Sequence, residues 1–404
     1  MALRAITVEN YRCFREPFRL ALRPLTLLYG WNNAGKSTAA RLVRALGRSV
    51  DEHARVPLDT GDGLGYRDLV WKPAVTKPGA LRLGLEWREG SADITACWRL
   101  DLDRDTNRMI VRELELTGAE TVHLRADRAA GPERYSTGDA VLHVPFTGLV
   151  PAHPAEELRS LCKRLTALRG RCAWLRGDRA RPPRTVASDA PPPAVVGEDG
   201  SGAFGLLVDP AGEALLAAVA RWYARPAIAR VLRASEHLAT RRLFLNPTDA
   251  SFDVDLIDTG AGMSQVLPVL VAAATAQARA QTGEPALLAV EEPESQLHPN
   301  AQRALGEWLC EIAGQEPAPQ LVIETHSRVL ILSVQLAIAR GLDPRRVALY
   351  WLEQRPDGSS VAHEVKLDVY GRPDGQWPRD VFADELELAD LLAEEQFSRG
   401  VWGA

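Results

Sequence analysis

Residues 3–8 (Leu-Arg-Ala-Ile-Thr-Val) alternate in polarity, and residues 25–29 form a nearly unbroken apolar run closed by Gly30. The first pattern predicts a half-buried strand and the second a strand buried on both faces. Ala39, Leu42, Val43 and Leu46 then recur at helical spacing, predicting a helix over 36–46 with Gly47 as its C-cap. Between 81 and 115 the runs Leu81-Leu83-Leu85-Trp87 and Ile94-Ala96-Trp98-Leu100 alternate strictly, which predicts antiparallel hairpins. Leu158, Leu161, Leu165, Leu168, Cys172 and Leu175 follow a 3-4-3-4-3 spacing, so a short heptad seam on a helical arm is expected from about 155 to 180. Pro182, Pro183 and Pro191 to Pro193, followed by Gly197 to Gly202, read as an exposed and disordered linker. Beyond it the pattern predicts helix over 213–234 and strands at 286–290, 320–324 and 347–352. No internal repeat is present. These elements divide the chain into residues 1–154, 155–205, 206–355 and 356–404.

A length of 404 residues suits two or three domains, and 46% hydrophobic with 25% charged residues is ordinary globular composition. The longest apolar stretch, residues 266–276, is short for a membrane span, and Glu9 and Asn10 fall where a signal peptide would be apolar. A cytoplasmic protein without a membrane partner is therefore expected. The five cysteines have no C-x-x-C spacing and read as reduced thiols, against a disulfide framework or zinc ribbon. A net charge of −5 provides no global attraction to nucleic acid, so any such contact must be local. Of 48 basic residues only five are lysines, which makes the lysine inside a glycine-rich segment, Lys36, conspicuous.

That segment, Gly30-Trp31-Asn32-Asn33-Ala34-Gly35-Lys36-Ser37, fits G-x-x-x-x-G-K-[ST], with Thr38 following. Placed between a strand and a helix, such a loop turns backbone N–H groups and a helix N-terminus toward a phosphate. Its lysine reaches the β- and γ-phosphates and its serine hydroxyl binds Mg²⁺. Leu287 to Val290 is a hydrophobic strand ending in Glu291 and Glu292. A strand end places the first carboxylate near the metal and the second where it can polarise a water in line with the γ-phosphate. Asp258-Thr259-Gly260-Ala261-Gly262-Met263-Ser264-Gln265 opens an apolar helical run, with Ser264 expected as N-cap. Gln320 to Thr325 is a strand ending in His326-Ser327.

Glu9-Asn10-Tyr11-Arg12-Cys13-Phe14, the P-loop with its Asn pair, Thr259 to Leu270, Glu291-Glu292-Pro293-Glu294-Ser295-Gln296-Leu297-His298-Pro299 and Glu324-Thr325-His326-Ser327 stand in the order found in ABC-type ATPases. The chain resembles the RecF/SMC-like branch, which includes the overcoming-lysogenization-defect (OLD) ATPases and related AAA-type bacterial ATPases. The resemblance implies an α/β ABC-ATPase head, a P-loop core with an antiparallel β-subdomain, bearing here a short helical arm and a C-terminal extension. It implies ATP and Mg²⁺ as cofactors. Gly30, Asn32, Asn33, Ala34, Gly35, Lys36, Ser37, Thr38 and, by proximity, Arg12 would bind nucleotide. Glu291 would be the metal-side carboxylate in place of the usual aspartate, Glu292 the catalytic base, and His326 the switch histidine, with Lys36 completing the catalytic set. Gly262, Ser264 and Gln265 would be the signature that acts on the nucleotide of a second protomer, and Ser295 to His298 the D-loop beside it. No glutamine precedes Gln265, so the Q-loop glutamine is missing; Asp68 resembles the acidic substitute of related ATPases and would then serve the metal, the alternative being a plain loop aspartate.

The resemblance further implies a homodimer or higher homo-oligomer whose closure is coupled to ATP turnover. Such a cycle handles DNA or gates a separately encoded effector nuclease, in some cases in phage defence. Too few residues follow His326 in this sequence for the Toprim domain of OLD nucleases, and Asp101/Asp103 and Asp253/Asp255 fall in strand-like patterns, so no nuclease centre is expected here. Two other readings remain. One is a nucleotide-switched scaffold; the other, an ATP-binding transporter subunit, needs only about half the length found between Lys36 and Gly262. From Arg159 to Arg184 nine basic residues face a single acidic one, Asp178. Arg164, Arg169, Arg171 and Arg176 are accordingly candidates for DNA phosphates. The alternative is a clasp onto the acidic C-terminal stretch from Asp380 to Glu395.

Overall fold

The computed structural model describes residues 2–72, 79–103, 105–118, 121–127, 129–131, 133–138, 140–152, 156–249, 251–375, 377–378 and 391. The alternating N-terminal run forms β1 (Ala2–Glu9), followed by β2 (Phe18–Ala21), and the apolar run forms β3 (Leu25–Gly30), buried along its whole length. Helix α1 (Lys36–Ser49) follows at once and continues past Gly47, which lies inside the helix and is not its cap. After the short α2 (Tyr66–Leu69) come β4 (Leu81–Glu89), β5 (Ala92–Asp103), β6 (Arg108–Thr117), β7 (Val122–Ala126), β8 (Arg134–Thr137) and β9 (Ala140–His143). With β1 and β2 these make an eight-stranded antiparallel sheet, order β2-β1-β4-β5-β6-β7-β8-β9, which contains the expected hairpins. A small hairpin of β10 (Phe146–Thr147) and β11 (Val150–Pro151) precedes α3 (Arg159–Thr166).

The arm differs from its sequence pattern. Leu158, Leu161 and Leu165 are buried as a helical stripe should be, but α3 is only eight residues long. The chain turns near Gly170, and Cys172 and Leu175 belong to β12 (Cys172–Leu175), an edge strand of the central sheet. A 3-4 spacing over so few residues does not separate a continued helix from a helix, turn and strand. The arginines are correspondingly committed. Arg164, buried, pairs with Glu89 at 2.6 Å, Arg169 Nε donates to the Val50 carbonyl at 2.8 Å, Arg171 pairs with Glu284 at 2.6 Å, and Arg176 Nε donates to the Asp178 carbonyl at 2.7 Å. They are not a row of free cations projecting from a helix. The acidic residues of the proposed clasp, Asp380, Asp384, Glu385, Glu387, Asp390, Glu394 and Glu395, lie outside the described residues.

The proline- and glycine-rich stretch is ordered rather than a free linker. Within it β13 (Val186–Ala187) pairs with a later strand, and Glu198 holds Arg44 through two hydrogen bonds of 2.7 Å. Helices α4 (Ala203–Val208) and α5 (Glu213–Tyr223) follow, and the helical pattern expected as far as 234 ends at Tyr223. Residues 230–247 form instead the hairpin β14 (Arg230–His237) and β15 (Thr240–Pro247). Asp253 is not in a strand; it accepts from Asn246 at 2.9 Å, whereas Asp101 lies in β5 beside Arg112.

Then come α6 (Ala261–Gln265), α7 (Leu267–Gln281), β16 (Leu287–Glu291), α8 (Pro299–Gly314), β17 (Gln320–Glu324), α9 (Arg328–Ala339), β18 (Val347–Gln354) and β19 (Ser360–Val365). The central sheet has the order β12-β16-β17-β3-β18-β19, parallel except for β19. Leu28 on β3 joins the core shared with α1 and the antiparallel sheet, while Leu25 and Leu27 join the core under α7, α8 and α9. That alternation is why the run is nearly all apolar, its one polar side chain, Thr26, donating to the Ala21 carbonyl at 2.9 Å. Residues 261–281 are long and apolar enough to cross a membrane by length and composition, yet 67% of that window is buried inside the protein, as a core helix is. All five cysteines are free.

Candidate nucleotide site

In a parallel sheet, ligands sit beyond the carboxyl ends of the strands. Here β17 lies between β3 and β16, so three strand ends meet: Gly30 before the P-loop, Glu324, and Glu291 with Glu292. The loop turns into α1 through Gly35, whose φ of +94° suits glycine and where a Cβ would stand 2.7 Å from Cys13 Sγ. Asn33 is also left-handed, with φ +65°, and its side-chain amide donates to Gln354 at 3.2 Å. Asn32, Asn33, Gly35, Lys36, Ser37 and Thr38 form one wall of a cleft of about 330 Å³, and Glu292, Glu324 and His326 form the other.

Lys36 is buried, and its Nζ donates to the carbonyls of Gly30 at 3.0 Å and Trp31 at 2.7 Å; desolvation lowers its pKa. Ser37 Oγ donates to Glu324 Oε1 at 2.7 Å. Burial, opposed by that hydrogen bond, pushes the Glu324 carboxyl up to about 7. His326 is exposed at the rim, its pKa lowered by desolvation and by the nearby Lys36. Glu292 also presents an exposed side chain to the cleft and has φ +44°, a conformation costing a residue with a Cβ about 1–3 kcal/mol.

That strained turn is held from two sides. Glu292 N–H donates to the Glu324 carbonyl at 2.8 Å, and Arg179 reaches across from the former arm. Arg179 is 4% exposed and donates to the carbonyls of Gln265, Arg176, Glu291 and Glu292 at 3.1, 3.2, 3.0 and 2.8 Å. It joins the end of the signature segment to the acidic strand end. Arg179→Met keeps most of the apolar stem but orphans buried carbonyls, so a loss of about 2–4 kcal/mol of stability is expected in urea unfolding. An unchanged midpoint would remove Arg179 from this role. Glu294, also buried, ties the same turn to the switch segment by accepting from Thr325 Oγ1 at 2.6 Å, His326 N–H at 2.8 Å and Ser327 N–H at 3.1 Å.

Other expected residues fall elsewhere. Glu291 does not line the cleft; its carboxylate is held by Arg41 (Nε 2.7 Å, Nη2 3.1 Å) and by Trp174 Nε1 at 3.0 Å. Asp68 is exposed and accepts from Gly65 N–H at 3.2 Å at the start of α2, so it is a cap rather than a cleft carboxylate. Arg12 stands one residue from the cleft, 3.6 Å from Asp62. Ala34 is buried behind the loop.

The signature segment does not reach this cleft. Ser264 is not an N-cap: α6 begins after Gly260, and Ser264 lies within it at 1% exposure. Gly262 is required by a close approach, since a Cβ there would lie 2.3 Å from the Gln296 carbonyl oxygen. Signature and D-loop are thus one surface, on which Gly260, Ala261, Gln296 and His298 are exposed, while Ser295 and Gln265 are half-buried. His298 also caps α8, its ring Nδ1 accepting from Asn300 N–H at 3.4 Å.

Glu324, Arg41 and Arg179 are the site residues that sequence pattern did not single out. Glu324 carried the same signal as Glu291, an acid closing an apolar strand, beside a histidine that drew the attention. The two arginines carried no local signal.

Residues 1–56 match the family model described as "AAA ATPase domain", and residues 188–333 match that described as "AAA domain, putative AbiEii toxin, Type IV TA system". No curated protein matches the chain. Among solved structures, an SMC head bound to the C-terminal winged-helix domain of ScpA aligns over 91% of this chain and 98% of its own, at 11% identity and TM-score 0.54. The Thermotoga maritima SMC head domain aligns over 91% of this chain and 100% of its own, at 13% identity and TM-score 0.47. An SMC head with an extended coiled coil, bound to the C-terminal domain of ScpA derived from Pyrococcus furiosus, aligns over 98% and 99%, at 10% identity and TM-score 0.48. The fold is the mixed α/β fold of SMC heads: a parallel sheet with an antiparallel β-subdomain.

Proposed function

We propose that this chain, with AAA ATPase segments on an SMC-head fold, is a cytoplasmic Mg²⁺-dependent ATPase that works as a homodimer closing around two nucleotides. The observation that carries the reading is the convergence of Lys36, Ser37, Glu292, Glu324 and His326 on one cleft at the carboxyl ends of β3, β16 and β17. Lys36 exchanges its hydrogen bonds to the Gly30 and Trp31 carbonyls for phosphate oxygens, and the N-terminus of α1 adds its partial positive charge. Glu292 accepts a proton from the attacking water, and His326 donates to the γ-phosphate from the rim. The half-buried Ser37 and the buried Glu324, whose Oε2 has no hydrogen-bond partner, form a donor set that suits Mg²⁺. The ion would neutralise charge on the β- and γ-phosphates.

The output we propose is DNA handling or control of a separately encoded effector nuclease, in phage defence. Support for a partner-directed role comes from the toxin–antitoxin description of the family model matching 188–333 and from the ScpA-bound state of the SMC head that aligns at TM-score 0.54. Lys36→Ala is expected to lose at least about tenfold in ATP affinity while melting at the wild-type temperature, as read with a fluorescent ATP analogue. Retained affinity would place nucleotide binding elsewhere. Identifying what co-purifies with the protein from its host, and measuring turnover with and without DNA, tests the output.

A further inference from the structure

We infer that Glu324, and not Glu291, is the carboxylate that serves the Mg²⁺ side of the nucleotide. The inference rests on the ATPase reading above and assigns one residue within it. Sheet order is its first ground. Because β17 separates the P-loop strand from the acidic strand, the side chain nearest the P-loop serine is the one that ends β17. The second ground is contact: Ser37 Oγ lies 2.7 Å from Glu324 Oε1, across 287 residues of sequence.

The third ground is what each carboxylate still has to offer. Glu324 is 3% exposed, and its Oε2 is buried with no hydrogen-bond partner. An unpaired buried acceptor is costly, and a cation is the kind of neighbour that relieves it. Glu291 is already satisfied, its two oxygens occupied by the Arg41 fork and by Trp174 Nε1. Arg41 is itself held over the Trp174 ring, 5.4 Å from its centroid, so moving Glu291 to a metal would break a charge-assisted pair and disturb a packed cation–π contact. Mg²⁺ is commonly held by one or two carboxylates together with substrate phosphates, so one buried carboxylate and one hydroxyl make a sufficient protein contribution.

The test measures nucleotide affinity rather than turnover. A fluorescent ADP is titrated into wild type, Glu324→Gln and Glu291→Gln, each in Mg²⁺ and in EDTA, with melting curves for all three. Glutamine at 324 keeps the shape and the Ser37 hydrogen bond while removing the charge. Glu324→Gln is expected to lose most of the Mg²⁺-dependent gain in affinity, about tenfold or more, read as the ratio of the variant's own affinities in Mg²⁺ and in EDTA. Glu291→Gln is expected to keep the gain. The reverse pattern, or equal loss in both, overturns the assignment. If Glu324→Gln fails to fold, Glu324→Asp replaces it: a shortened carboxylate should reduce the gain, and a full gain overturns the assignment. Wild type that binds ADP in neither condition would defeat the ATPase reading itself, a result distinct from either pattern among the variants.

Discussion

Glu292→Gln is expected to bind ATP as wild type does and to hydrolyse it about 10²–10⁴-fold more slowly, the usual contribution of a positioned general base. The expectation follows from how the residue is held. Its backbone is fixed by the hydrogen bonds to Glu324 and from Arg179, and the φ of +44° aims the side chain out of the turn into the cleft. Changing carboxylate to amide touches neither bond, so the loop should keep its shape. The groups proposed to hold phosphates, Lys36 and Ser37, lie on the opposite wall and are unaltered. The defect should therefore appear in kcat with little change in nucleotide affinity, and single-turnover kinetics beside equilibrium binding separate the two. If the variant turns over at the wild-type rate, the proton goes to another group, and His326 is the next candidate at the rim.

The P-loop was legible because its chemistry is local: the residues that turn, cap and bind are consecutive, and the flanking strand and helix carry their own periodicities. The same holds for β16 and β17, whose apolar runs are too short for a helix and read as strands buried on both faces. What could not be read is what the topology brings together. The Ser37–Glu324 contact exists because a strand from late in the chain inserts between two others, and no spacing encodes that. Arg41 sits one helical turn after Ser37, and only the position of Trp174 on an edge strand explains why it takes Glu291. Charge counting misled for the same reason. The basic run from Arg159 to Arg184 read as cations available to DNA phosphates or to an acidic clasp, yet Arg164 and Arg179 are buried and the others named above hold carbonyls or carboxylates of the head itself. The heptad-like spacing misled because helix and strand periods agree over a few residues, and Gly170 is where they part.

A mixture of two inactive variants is expected to recover activity. Lys36→Ala removes phosphate binding on one surface, and Ala261→Arg places a bulky cation on another, the exposed start of the signature segment. Ala261 is the position to change because Ser264 is buried, and an arginine there would test folding instead of contact. Gly262 packs against the Gln296 carbonyl, so this surface includes the D-loop and is rigid, as a surface that completes a neighbour's site must be. It lies away from the cleft of its own protomer, in which no signature residue takes part. In a closed two-fold dimer each nucleotide would then be held between the P-loop of one copy and the signature of the other. Each variant alone forms dimers with both sites broken. An equal mixture forms heterodimers in which one site carries both defects and the other carries neither. Random pairing gives half heterodimers with one working site each, so about a quarter of the wild-type rate should return, and it should scale with protein concentration. If Ala261→Arg alone is fully active, or the mixture stays as inactive as its components while each still binds its expected ligands and melts normally, the signature does not act across a dimer and each head must hydrolyse by itself.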